Sequence, residues 1–211
     1  MHIFARRLRR PGGYRVFFVF FLFLVFATPP GLVAGALYAL YFEELLRSTA
    51  VIAATTIVYG AALWAADALR PHAKDVEHMT FKGAIFIGLA QALALVPGTS
   101  RSGITMTAAR ALGFERNEAA RFSMLVGIPL IAASGAFAFY ELATGDYAGA
   151  IADNGELIPV ALTDGLIVAA LSFVAAFASI AALMALLKRM SFLPFVLYRF
   201  ALGAVLILFA L

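Results

Sequence analysis

The chain has 211 residues, of which 64% are hydrophobic and only 13% are charged. Soluble domains carry about 45–50% apolar and about 25% charged residues. A globular core cannot hide this much apolar surface, and the mean hydropathy of +0.95 also indicates a membrane protein. The length suits a single membrane domain over residues 1–211, without an additional soluble module.

Charge and cysteine content exclude several kinds of site. The sequence contains no cysteine, which excludes disulfides and thiolate metal sites. The net charge is +4, but the basic residues are scattered along the segments between apolar runs. We therefore do not expect nucleic-acid binding.

The apolar runs predict an all-α polytopic membrane protein with about five transmembrane helices. Each run is long enough to cross a hydrocarbon layer of about 30 Å. They cover residues 16 to about 40, about 50–69, about 122–140, about 157–187 and about 192–211. The proline pair Pro29-Pro30 should kink the first helix.

Two shorter apolar stretches, roughly 84–96 and 104–112, flank a Pro-Gly pair. Neither is long enough for an easy crossing. They predict a re-entrant helical hairpin over about 81–112. The irregular backbone at its tip is tolerated at membrane depth only where it lines a cavity or is buried in protein.

The distribution of Lys and Arg orients the predicted helices. Basic segments should face the cytoplasm, namely residues 1–15, 70–82, 110–121 and 188–189. The 42–48 turn and the 141–157 loop, which has no Lys or Arg, should face outside. The hairpin then enters from the cytoplasmic side and places its tip near the middle of the membrane.

Residues 97–103, hereafter the tip motif, read Pro-Gly-Thr-Ser-Arg-Ser-Gly. Glycines let backbone N–H groups approach a ligand, and the start of the following helix presents unpaired N–H groups to an anion. Arg101 adds a fork of donors suited to phosphate, and Ser100, Ser102 and Thr105 can donate to further oxygens. An arginine at membrane depth usually marks a ligand or ion path, so the motif predicts a phosphate site.

Other interpretations of these polar residues stay open. The tip motif could be a polar turn at the membrane edge, with Arg101 reaching the interface. It is not a Walker loop, since no Lys-Ser/Thr follows it, and Ser102 occupies the place of the second glycine of a nucleophile elbow. Arg199 lies inside the last apolar run, where it lines a cavity or pairs with a buried carboxylate such as Asp164.

Residues 91–105 read Gln-Ala-Leu-Ala-Leu-Val-Pro-Gly-Thr-Ser-Arg-Ser-Gly-Ile-Thr. This stretch resembles the second signature, P-G-x-S-R-S-x-x-T, of the undecaprenyl-diphosphate phosphatases, also called bacitracin-resistance proteins. Supporting similarities occur in order along nearly the whole chain, at Met79-Thr80, at Phe122-Ser123, and in residues 188–192, 194–195 and 198–200.

The resemblance implies an enzyme that removes the terminal phosphate of undecaprenyl diphosphate. That reaction recycles the lipid carrier for peptidoglycan and cell-wall synthesis. The implied fold has two inverted-topology repeats in the bacterial inner membrane, each with a re-entrant hairpin, around a site open to the outer face. Residues 1–69 would then be the remainder of the first repeat, and 70–211 the second. The resemblance is also compatible with a homodimer.

The same resemblance assigns roles to individual residues. It implies four catalytic residues, which are Ser100, Arg101, Ser102 and Thr105. Arg101 would clamp the diphosphate and stabilise charge on the transferred phosphoryl group. From the residues themselves we also expect substrate contacts at Gly98, Thr99, Gly103 and Gln91. Packing against neighbouring helices is an equal alternative for Gln91, which lies about two helical turns before the tip.

The family's first signature, two glutamates four apart followed by Pro-x-Ser-Ser-Thr-Gly-His, does not occur in this sequence. In the family those residues supply the nucleophile or base and the carboxylates linked to a divalent cation, Mg²⁺ or Ca²⁺. No metal ligands are therefore assigned here. We expect a chain shortened at its N-terminus, with little or no phosphatase activity alone. A transporter or lipid flippase, or an inactive fragment that binds a lipid diphosphate, are the alternatives.

Overall fold

The computed structural model describes residues 48–69, 74–75, 78–144, 150–151, 157–158 and 161–210, together with Pro29 and Val33. The described elements are α1 (Thr49–Leu69), α2 (Phe81–Ala92), a 3₁₀ turn (Leu93–Leu95), α3 (Arg101–Ala111), α4 (Arg116–Thr144), β1 (Ala150–Ile151), β2 (Leu157–Ile158), α5 (Leu162–Leu187) and α6 (Leu193–Ala210). The predicted first span, 16 to about 40, lies outside the described residues.

The prediction of an all-α polytopic membrane protein is confirmed. Helices α1, α4 and α5 are long and apolar enough to cross a membrane, and α6 is a shorter apolar helix. Large apolar side chains on α5 point away from the protein, as Phe173, which is 72% exposed, illustrates. This exposure fits lipid as the surrounding solvent. The bounds of one span were wrong: α5 begins at Leu162, because residues 157–158 pair antiparallel with 150–151 in a two-residue ribbon.

The helical hairpin predicted over 81–112 is confirmed as a pair of short packed helices. Helix α2 begins after Thr80, whose hydroxyl accepts the N–H of Gly83 at 3.1 Å. With 12 and 11 residues, α2 and α3 are about 18 and about 16 Å long, too short to cross a bilayer. The chain turns between them at residues 96–100. Re-entry of this hairpin into the membrane stays a prediction.

Helix α3 lies at the centre of the described bundle, because it packs against α1, α2 and α4. One apolar cluster joins α2, α3 and α4 and contains Ile87, Ala109 and Phe122. A second joins α1, α3, α4 and the α5–α6 connection and contains Leu63 and Phe192. The start of α3 is therefore fixed by packing on several sides, which positions the tip motif.

A buried ion network holds the far end of α3. The carboxylate of Asp67, near the end of α1, accepts Nε of Arg110 at 3.0 Å and Nε of Arg116 at 2.8 Å. The backbone N–H of Phe192, before α6, donates to the same carboxylate at 3.4 Å. Arg110 is fully buried and also donates to the carbonyl of Phe114. One aspartate of α1 thus joins α3, the start of α4 and the segment before α6.

Candidate functional site

The tip motif adopts a backbone that most residues disfavour. Gly98 has φ of 85°, in the left-handed region that glycine tolerates. Ser100 has φ of 68°, and it is the only described residue other than glycine with a positive φ. Its hydroxyl caps α3 by accepting the N–H of Gly103 at 3.3 Å. Strained backbone of this kind is typical of ligand sites.

Carbonyl groups of the tip motif are held by the neighbouring helices. The hydroxyl of Thr55 lies 2.6 Å from the carbonyl oxygen of Pro97, and the hydroxyl of Thr56 donates to that of Gly98 at 3.2 Å. Arg199, from α6, donates through Nη2 to the same Gly98 oxygen at 2.8 Å. A Cβ at Gly98 would overlap the backbone of α1. The backbone of the tip is therefore fixed by contacts with α1 and α6, although Ser100 itself is exposed. The depth of the tip in the membrane stays a prediction.

The backbone amides at the start of α3 are free, unlike the carbonyls of Pro97 and Gly98, which accept hydrogen bonds from α1 and α6. Within the described part of the chain, the backbone N–H groups of Ser100, Arg101 and Ser102 donate to no acceptor. Two of them belong to the first turn of α3, where the helix dipole favours an anion. The local geometry therefore provides a short row of donors suited to phosphate oxygens.

Arg101 lies half-buried beside α4. Its Nη1 is fully buried and has no hydrogen-bond partner among the described residues. The guanidinium occupies the space where a side chain at Gly127 would be, since a Cβ there would overlap it. A buried donor without an acceptor is costly, and an anionic ligand at this position would accept its hydrogen bond. Gly127 is thus a residue of the site that the sequence did not reveal, because nothing in an apolar run marks its partner.

Replacing Gly127 with valine should displace the Arg101 guanidinium and lower affinity for a phosphorylated lipid by about tenfold, because one charge-assisted contact is lost. The fold should persist, since the end of an arginine side chain can move. Gly135→Val is the matched control, because no atom lies within 4 Å of a Cβ at that position of the same helix. Titration of both variants with farnesyl diphosphate in lipid nanodiscs checks this. Equal affinities would contradict it.

Three further polar side chains in this region are buried without hydrogen-bond partners in the described residues. Both amide atoms of Gln91 are unpaired, and so are the hydroxyls of Thr99 and Ser123. Buried polar groups are normally hydrogen-bonded, so these side chains are candidate contacts for a polar ligand. Gln91 and Thr99 were expected site residues; Ser123, on α4, was noticed only as a family similarity.

The remaining predicted residues lie on the first turns of α3. Ser102 and Gly103 are half-buried. Thr105 is fully buried, and its hydroxyl donates within the helix, to the carbonyl of Arg101 at 2.9 Å or of Ser102 at 3.2 Å. Its oxygen can still accept a hydrogen bond, but its proton is engaged. A catalytic role for Thr105 stays a prediction.

The pairing of Arg199 with Asp164 was wrong. Asp164 lies exposed in the first turn of α5, whereas Arg199 donates to the carbonyls of Thr56 and Gly98. Backbone carbonyls of a helix and of the tip replace the carboxylate as its partners. Arg199 therefore contacts the tip motif directly. Its other interpretation, that it lines a cavity, stays a prediction.

A divalent cation does not fit the described residues. No group of three or more His, Asp or Glu side chains within them could hold a metal ion. The side chains of the tip motif are hydroxyls and one arginine, whereas Mg²⁺ and Ca²⁺ prefer carboxylate oxygens. No chemical step is therefore assigned to a metal here.

A multi-pass membrane protein with a short helical hairpin, whose turn presents free backbone amides and an arginine, is the class of protein that the fold and the candidate site define. Within that class, the chain belongs to the family described as "Bacitracin resistance protein BacA", which matches residues 3–205. The resemblance found from the tip motif is thereby confirmed.

Curated relatives of this family are named undecaprenyl-diphosphatase. The protein of Hyphomonas neptunium is 52% identical over 191 residues, which are 88% of this chain and 64% of the relative. That of Maricaulis maris is 49% identical over 200 residues, or 94% of this chain and 70% of the relative. That of Alteromonas mediterranea is 44% identical, over 89% and 66% of the two chains. The chain thus spans about two thirds of these relatives' length.

Proposed function

We propose that this chain holds the diphosphate of undecaprenyl diphosphate in a phosphatase that removes the terminal phosphate of that lipid. The observation that carries the proposal is that Arg101 has a buried, unpaired Nη1 and belongs to the first turn of α3, whose backbone amides are free. These donors would bind the diphosphate and offset charge that develops on the transferred phosphoryl group. The family and the names of its curated members supply the substrate.

Binding and turnover need different parts of the machinery. Arginine and amide donors polarise a phosphate, but phosphoryl transfer also requires a positioned nucleophile or an activated water. Mg²⁺ or Ca²⁺, held by carboxylates in addition to the described ones, would complete this set. We expect the 211-residue chain to bind the lipid but to release little or no phosphate.

Two versions of the protein test this proposal. The chain as given is compared with one extended at its N-terminus by a hairpin that carries the family's first signature. Phosphate release from undecaprenyl diphosphate is measured with Mg²⁺ or Ca²⁺ present. Turnover by the extended version only is the expected result. Comparable turnover by both would place a base within these 211 residues, and transport without phosphate release by either would favour a flippase.

The proposal includes a location in the bacterial inner membrane, with the site open to the outer face. The stretch 141–157, which begins with the last turn of α4, would then lie outside and Lys188 in the cytoplasm. Because the chain has no cysteine, single cysteines report each side. An impermeant methanethiosulfonate reagent should label Ala143→Cys in intact cells and Lys188→Cys only after permeabilisation. The reverse pattern would refute this orientation.

A homodimer belongs to the same proposal. Exposed apolar faces on α4 and α5 would contact lipid or a second copy. Mass measurement of the purified protein in nanodiscs decides between these two arrangements.

A further inference from the structure

Arg199 uses only part of its guanidinium to hold the tip motif. Nε donates to the carbonyl of Thr56 at 3.2 Å, and Nη2 donates to the carbonyl of Gly98 at 2.8 Å. Nη1 has no partner among the described residues, and it is not among the fully buried atoms that lack one. It lies 3.8 Å from the position that a Cβ at Gly103 would take. This donor is therefore left accessible at the start of α3.

The hydroxyl of Ser100 lies at the same place. Its Oγ is 3.2 Å from the Cβ position of Gly103, which is also near Nη1 of Arg199. Arg101, in contrast, lies against Gly127 of α4. The start of α3 is thus approached by two arginines, one beside α4 and one from α6.

Neither of these arginines has a carboxylate partner in the described residues. Arg110, Arg116 and Arg121 form ion pairs with carboxylates, whereas Arg101 and Arg199 form none. Two unneutralised cations at one short motif repel each other, and little solvent screens them within a bundle. A diphosphate can present one phosphate group to each arginine, whereas a monophosphate, although it carries about −1.5 to −2 charge at pH 7, has only one phosphate group to place.

We propose that Arg199 is a second phosphate-binding residue that selects a diphosphate over a monophosphate. Arg101 contacts one phosphate and Nη1 of Arg199 contacts the other, with the α3 amides between them. The inference rests on the proposed function and adds a specificity to it. A monophosphate, which is the product of hydrolysis, engages only one arginine and therefore dissociates more readily.

Arg199 could instead serve only to position the tip motif through Gly98. The two roles predict different effects on two ligands. A loosened tip would weaken a monophosphate and a diphosphate alike, because both need the amides of α3. Loss of a contact to the second phosphate would weaken the diphosphate alone.

The test measures farnesyl diphosphate and farnesyl monophosphate binding to the chain in nanodiscs by calorimetry. Arg199→Gln should lower diphosphate affinity by about tenfold or more, as expected for a charge-assisted bond, and monophosphate affinity by less than about threefold. The diphosphate affinity of Arg199→Lys, which keeps the charge, should lie between those of Arg199→Gln and the wild type. Arg189→Gln removes the same charge from an exposed turn and should change neither affinity.

Several outcomes overturn the inference. An equal loss for both ligands in Arg199→Gln assigns the residue to tip positioning alone, and unchanged diphosphate affinity removes it from the site. If Arg199→Gln does not fold, Arg199→Lys replaces it in the test. A loss of diphosphate affinity that exceeds the loss of monophosphate affinity then supports the inference, and equal losses overturn it. Failure of the wild type to bind either ligand refutes the proposed function itself. Loss of diphosphate binding in Arg101→Gln but not in either Arg199 variant leaves the proposed function standing without this inference.

Discussion

Replacing Arg101 with lysine should lower the affinity of this chain for farnesyl diphosphate by about tenfold to a hundredfold, although the positive charge is retained. A guanidinium offers donors in a planar fork that matches two phosphate oxygens, whereas an ammonium acts as a compact point charge. Each charge-assisted hydrogen bond contributes about 1.5–3 kcal/mol. The buried Nη1 beside Gly127 is the donor that lysine cannot reproduce.

Calorimetric titration in nanodiscs measures the change in affinity for farnesyl diphosphate. The corresponding change in turnover is measured as kcat/KM of the N-terminally extended protein. Arg189→Lys makes the same exchange at an exposed turn and should leave both quantities unchanged. Wild-type affinity in Arg101→Lys would show that charge alone, without the geometry of the fork, holds the diphosphate.

The hairpin and its tip were predictable from the sequence because their signals are local. A Pro-Gly pair between two short apolar stretches cannot continue a helix, and the described turn falls at residues 96–100. The clustering of hydroxyls and Arg101 before a helix start indicated an anion site. These features depend on neighbours in the chain, so one sequence is sufficient to find them.

The contacts that fix the tip were not predictable, because their partners are far apart in the chain. Gly98 and Arg199 are 101 residues apart, and nothing local indicates that a carbonyl replaces Asp164 as the arginine's partner. Gly127 appears as one more small residue in an apolar run until Arg101 is found beside it. The start of α5 was misplaced for a related reason, since strand pairing over 157–158 competes with an apolar helix pattern.

Asp67 illustrates the same limit at the opposite end of α3. It ends an apolar run, where an aspartate would ordinarily face solvent or headgroups. The structure instead buries it between Arg110 and Arg116, which lie 43 and 49 residues later. Hydropathy describes how a run meets lipid but not which buried charges meet each other, so this network required the tertiary structure.

Asp67→Asn should be among the most destabilising single substitutions in the described residues, lowering the free energy of unfolding by about 3–5 kcal/mol. Asparagine keeps the size and one acceptor oxygen, but it removes the counter-ion of the fully buried Arg110. A buried cation that loses its counter-ion bears the desolvation penalty without the compensating attraction. The helices joined by the network should then separate more easily, as measured by denaturation in mixed micelles.

Two variants show whether the charge pair, rather than the aspartate's shape, causes this loss. Arg116→Gln removes the partly exposed partner and leaves Asp67 paired with Arg110, so it should cost less than about 1 kcal/mol. The double variant Asp67→Asn, Arg110→Gln removes both members of the buried pair. It should be more stable than Asp67→Asn alone, because no uncompensated charge remains. Additive losses in the double variant would mean that the two residues stabilise the bundle independently, and that packing rather than charge accounts for the effect of Asp67→Asn.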